Sequence, residues 1–154
     1  MAGNARSQVL LLKGEPAKGE LPDALLAGAD GDALRAALAA LGYEPQDWVG
    51  LACVRADGAP LGPETLRLAV ATLDPSTVIA LDDVASLALR EAYADEFVAL
   101  EDLKQATLQP GAVARVLGMR VLALGGFAGS LSDPAAKQRM WARLKLLPPL
   151  GEPY

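Results

Sequence analysis

Residues 73–85 read Leu73-Asp74-Pro75-Ser76-Thr77-Val78-Ile79-Ala80-Leu81-Asp82-Asp83-Val84-Ala85, and three signals in that stretch decide the fold class. Asp74-Pro75 closes a helix, because proline offers no amide hydrogen and its ring clashes with the preceding turn. Thr77 to Leu81 is a short β-rich apolar run, the pattern of a strand covered on both faces. Asp82-Asp83 then places acid where a side chain can cap free amides and the helix dipole favours negative charge. Strands that alternate with helices in this way cannot pair as hairpins, so they lie parallel.

The alternation extends in both directions. Upstream, Val9 to Leu12 is a buried strand that leaves into Lys13-Gly14-Glu15-Pro16. Asp32 can cap a helix carrying Leu34, Leu38 and Leu41, with Gly42 as its stop. Trp48 to Val54 is the second strand, and a helix from Pro63 turns Leu66, Ala69, Val70 and Leu73 inward. Downstream, the helix after Asp82-Asp83 carries Val84, Leu87 and Ala88, and residues 94–118 hold no strong element. Met119 to Leu124 is the fourth strand, and Asp133-Pro134 opens a last helix through Leu147, ended by Pro148-Pro149. The predicted fold is one α/β domain over residues 1–154, a three-layer α/β/α sandwich on a four-stranded parallel sheet. Its ligand sites fall in the loops after Leu12, Val54, Leu81 and Leu124.

Composition narrows the chemistry. The 154 residues are 52% hydrophobic and 21% charged, ordinary globular usage and unlike a disordered chain. Every apolar run is interrupted well short of a bilayer span, and Val9 to Leu12 is too short for a signal-peptide core, so the expected compartment is the cytoplasm with no membrane attachment. One cysteine, Cys53, excludes an internal disulfide and a cysteine-built metal cluster. The absence of histidine removes the commonest general base near neutral pH. No cofactor, metal or catalytic residue is expected. Charge is divided unevenly, net −10 over residues 1–103 and +5 over residues 104–154, which suits an electrostatically matched partner, protein or nucleic acid.

Several constellations carry both a plain and a functional reading. Gly125-Gly126-Phe127-Ala128-Gly129-Ser130 could cradle a phosphate, yet it lacks the lysine of a P-loop and fits a tight turn better. Asp82-Asp83 could hold a divalent cation or activate water, although capping explains the pair more simply. Lys137, Arg139, Arg143 and Lys145 could meet phosphates or a partner's carboxylates, or could form a solvated helix face. Trp141, with Met140 and Leu144, reads as core, and Cys53 as a small core residue with no base to activate it.

Taken together these pieces resemble the uracil-DNA glycosylase superfamily, particularly its shorter bacterial and archaeal branch. Leu12-Lys13-Gly14-Glu15-Pro16-Ala17 stands where that family has a Gly-Glu-Ala-Pro-Gly loop, and Pro75, Val78 to Leu81 and Ala85 follow its Pro, Val-Ile-Ala-Leu-Gly, Ala phrase, with Asp82 in place of glycine. Val121 to Leu124, Gly125-Gly126-Phe127, Ser130 to Pro134, Lys137, Trp141 and Leu144 are similar to its final strand, loop and helix. The likeness covers residues 9–147. The departures fall on the chemistry: the family's histidine would fall at Gly126, its asparagine near Ala52, and its base-stacking aromatic and four iron-sulfur cysteines have no counterpart.

The resemblance implies a degenerate pocket of Gly14, Glu15, Pro16, Ala52, Asp82, Gly125, Gly126 and Phe127. It also implies a non-catalytic domain that binds a protein in DNA replication or repair, as a clamp-loader accessory subunit of this fold does. Two alternatives stay open. One is a divergent glycosylase or nucleotide hydrolase using Glu15, Asp82 or Asp83; the other is nucleic-acid binding through the basic C-terminal helix.

Overall fold

The computed structural model describes residues 1–14, 16, 25–44, 47–55 and 57–149. Among them six strands form one sheet: β1 (Ala2–Gly3), β2 (Val9–Lys13), β3 (Val49–Ala52), β4 (Thr77–Ala80), β5 (Val113–Val116) and β6 (Met119–Ala123). Their spatial order is β1-β3-β2-β4-β6-β5. The four expected strands are the middle four and pair in parallel, with Leu10 opposite Val49, Leu11 opposite Ile79 and Ile79 opposite Leu122. The expected four-stranded parallel sheet is nevertheless corrected, because β1 and β5 add antiparallel edges and make the sheet mixed.

Both edge strands carry weak sequence signals. β1 is too short to show a pattern. β5 is joined to β6 by Leu117-Gly118, both at positive φ (49° and 83°). That geometry matches the twist of a two-residue hairpin, but a leucine at its first position hides the usual Asn-Gly or Asp-Gly mark.

Among the described residues seven helices accompany the sheet: α1 (Ala29–Leu41), α2 (Pro63–Leu73), α3 (Asp83–Ala92), α4 (Ala94–Val98), α5 (Leu103–Ala106), α6 (Phe127–Ser130) and α7 (Pro134–Leu144). Side chains alternate across a strand, so each central strand feeds two cores. Leu10, Leu12, Val78, Ala80 and Val121 pack with Leu66 and Val70 of α2, Leu89 of α3 and Phe97 of α4. Val9, Leu11, Ile79 and Leu122 face the other way, onto Leu34 and Leu38 of α1, Phe127 of α6 and Met140 and Leu144 of α7. Each fully buried leucine contributes about 2 kcal/mol by leaving water. The result is a helix layer on each face of the sheet. Among the described residues no helix is long and apolar enough to cross a membrane.

Several elements differ from the sequence reading. α1 begins at Ala29 rather than after Asp32; its first turn seats Gly31 so close to the Leu26 carbonyl that a Cβ would lie 1.6 Å away. α3 buries Ala85, Ser86, Leu89 and Ala92, while Val84 and Leu87 face solvent, because the cap at Asp82 sets the phase of the helix. The 94–118 stretch holds two short helices as well as β5. α7 ends at Leu144, and Leu147 is buried beyond it because the Tyr43 hydroxyl holds the Leu147 carbonyl at 2.7 Å.

Candidate functional site

β2 sends its chain through α1 towards β3, and β4 sends its chain through α3 towards β6, on opposite faces of the sheet. The carboxyl ends of β2 and β4 therefore flank the topological switch point where open α/β sheets take ligands. A cavity of about 120 Å³ lies there, lined by Lys13, Asp30, Leu81, Asp82 and the first turn of α6 from Gly126. That is well below the ~300–1,000 Å³ of ordinary small-molecule sites.

The polar groups around it are engaged with the fold. Lys13, the last residue of β2, is 4% exposed, and its ammonium lies 2.6 Å from the Asp30 carboxylate on the first turn of α1. A buried ammonium needs such a partner, since an isolated charge in the interior is strongly disfavoured. The Asp82 carboxylate accepts from the Gly14 amide at 3.1 Å and from the Ala85 amide at 2.8 Å. One side chain thus caps α3 and ties the loop after β2 to it. Gly14 is dictated by that approach: a Cβ would come within 2.5 Å of the Ala85 nitrogen and of the Val84 Cβ. The capping reading of Asp82 agrees with this geometry, while Asp83 stands exposed on α3.

The other anticipated positions distribute around the cavity. Gly126 lines it at φ 76°, and Gly125, at φ 74°, packs beside Pro110 instead. Phe127 also lines it but is 5% exposed and belongs to the core on the α1 side. Ala52 is buried in the same core, and Pro16 is half-buried. Glu15 lies outside the described residues. Cys53 is buried, and its thiol is pushed up to about 12, first by burial and then by the charge of Asp82, so it stays protonated near neutral pH. Sequence reading missed Lys13 and Asp30. Lys13 followed an apolar strand and looked like its exit, and Asp30 fell outside a helix started too late.

The basic residues of the last helix separate into two kinds. Lys137, Arg139 and Lys145 are exposed. Arg143 is half-buried and donates to the Leu124 carbonyl, bracing the end of β6. Between α1 and α7 runs an apolar groove of about 220 Å³, bordered by Ala33, Ala37, Lys137 and Trp141 over Phe127 and Leu131. Trp141, expected in the core, is half-buried along this groove, because Met140 and Leu144 supply the stripe that docks α7.

At the opposite end of the sheet a second buried cation is held differently. Arg120 is 7% exposed and donates to Thr77 Oγ1 at 2.8 Å, to the Pro148 carbonyl at 2.8 Å and to the Tyr43 hydroxyl at 3.3 Å. Burial raises the Tyr43 hydroxyl above its ordinary range, against the opposing pull of Arg120. Among the described residues no carboxylate forms an ion pair with Arg120. The chain matches no protein-family model and no curated protein.

Proposed function

We propose that this chain is a non-catalytic, uracil-DNA glycosylase-like domain that works by binding another protein in DNA replication or repair. The observation that carries the reading is the state of the switch-point cavity: its cation is paired with Asp30, and its carboxylate Asp82 is spent on two amides. Base excision needs hydrogen bonds to the flipped base and stabilisation of the departing anion, which offset the few kcal/mol of unstacking. Gly126 and Ala52, at the positions the resemblance assigns to those groups, have no side chain able to do either. A binding function then uses the surface outside the cavity, where α7 presents exposed cations beside Trp141.

The test has two arms. Purified chain incubated with single- and double-stranded DNA bearing uracil and oxidised bases is expected to release no base. Turnover that disappears in Asp82→Asn or Glu15→Gln would overturn the proposal in favour of a carboxylate-driven glycosylase. Affinity capture from the native lysate is expected to return a stoichiometric protein of replication or repair, retained after nuclease treatment. Capture lost on nuclease treatment would shift the reading to nucleic-acid binding, whose affinity falls steeply with salt.

A further inference from the structure

We infer that the groove between α1 and α7 is the docking site for an acidic segment of a partner protein that inserts one bulky apolar side chain. This rests on the reading of the chain as a protein-binding module and names the surface and the chemistry of what binds there. Ala33 and Ala37, one turn apart on α1, are too small to meet α7, and the space they leave is about 220 Å³. That volume suits an inserted side chain better than a whole small molecule, and buried apolar anchors dominate the energetics of protein interfaces.

Charge identifies the rest of the partner. α7 contains Lys137, Arg139 and Arg143 and no acid. Among the described residues Lys137, Arg139 and Lys145 form no ion pair, and the Lys145 ammonium sits 5.5 Å from the Trp141 ring centre at the groove's edge. On the first turn of α1, Asp30 pairs with Lys13 and Asp32 with Arg35 at 2.5 Å, and Asp133 accepts from the Ala135 amide at the start of α7. Lys137, which lines the groove, and Lys145, beside the Trp141 ring that borders it, therefore place positive charge at an apolar opening. An amphipathic segment with aspartate or glutamate flanking leucine, phenylalanine or tryptophan satisfies both halves. A nucleic acid duplex, whose bases stay stacked, would meet the cations and leave the apolar floor unfilled.

The experiment pans a phage-displayed library of random peptides on the full chain. Selected sequences are expected to converge on acidic residues around a large apolar one. A synthetic peptide of that consensus should bind about tenfold more weakly to Ala37→Trp, which fills the groove, and to the triple variant Lys137→Glu, Arg139→Glu, Lys145→Glu. The triple variant alters only exposed side chains, so it remains informative if Ala37→Trp fails to fold. Selection without an acidic consensus, or peptides that bind both variants as they bind the parent, would overturn the inference. So would tight binding of a single-stranded 20-mer DNA that charge reversal abolishes and Ala37→Trp leaves intact. A replication or repair protein captured equally by parent and variants would keep the binding-module reading and remove this groove from it, whereas base-excision turnover would remove that reading itself.

Discussion

Lys13 and Arg120 are both buried cations at strand ends, and the fold accommodates them by opposite means. At the carboxyl end of β2, Lys13 sits beside a carboxylate. At the amino end of β6, Arg120 rests on a threonine hydroxyl, a tyrosine hydroxyl and a backbone carbonyl. An ammonium is a compact and strongly hydrated point charge that loses much on burial, whereas a guanidinium spreads its charge over a fork of donors. The difference shows where each end can tolerate change. The carboxyl end holds an ammonium in direct contact with a carboxylate. The amino end is a knot of hydrogen bonds that ties residues 147–148 to the sheet.

Asp30→Ala should break the comparison most severely, with an expected loss of about 3–5 kcal/mol in urea unfolding as the carboxylate is withdrawn from a buried ammonium. Pairing Lys13→Met with Asp30→Leu should recover part of that loss, because neither member of the pair is then left charged without the other. A small effect of Asp30→Ala would show that the cavity is held by something other than this pair. Arg120→Met should cost about 2–3 kcal/mol, as several charge-assisted hydrogen bonds go at once. Its partner Thr77→Val should cost less, since the guanidinium keeps its other acceptors.

Two smaller effects sharpen the picture of the carboxyl end. Asp82→Ala should cost about 1–2 kcal/mol, the value of a helix cap, and should raise amide exchange at Gly14 and Ala85 together if one carboxylate ties both. Cys53 provides the pH test. Its folded thiol is pushed up to about 12 by burial and by the Asp82 charge, while the unfolded chain loses that proton at the ordinary thiol value. The unfolded state then binds fewer protons, so stability falls as pH rises from the ordinary thiol range towards about 12. Cys53→Ala should flatten that part of the profile. A thiol reagent should leave the native chain unlabelled near neutral pH and label it only on unfolding.

The pattern of the central elements was open to reading because it is local. An uninterrupted run such as Val78 to Leu81 needs two covered faces whatever covers them, and Asp133-Pro134 announces a helix start from its own residues. Asp82 was legible as a cap for the same reason, and the acid after a strand was enough to suggest it. The inner face of α3 was not, because the cap turned Ala85 and Leu89 inward and left the larger Val84 and Leu87 in water. Hydrophobicity alone ranks those positions the wrong way round.

The amino-acid sequence by itself determined the alternation of strand and helix, the parallel pairing of the four middle strands and the confinement of Cys53 to the interior, since each depends on near neighbours and on burial. Only the tertiary structure decided that Asp30 meets Lys13, that Gly14 must be glycine, that Arg120 gathers Tyr43, Thr77 and Pro148, and that two alanines of α1 open a groove against α7. Those outcomes turn on side chains 17 to more than 70 residues apart meeting at ångström distances, and no periodicity along the chain records that.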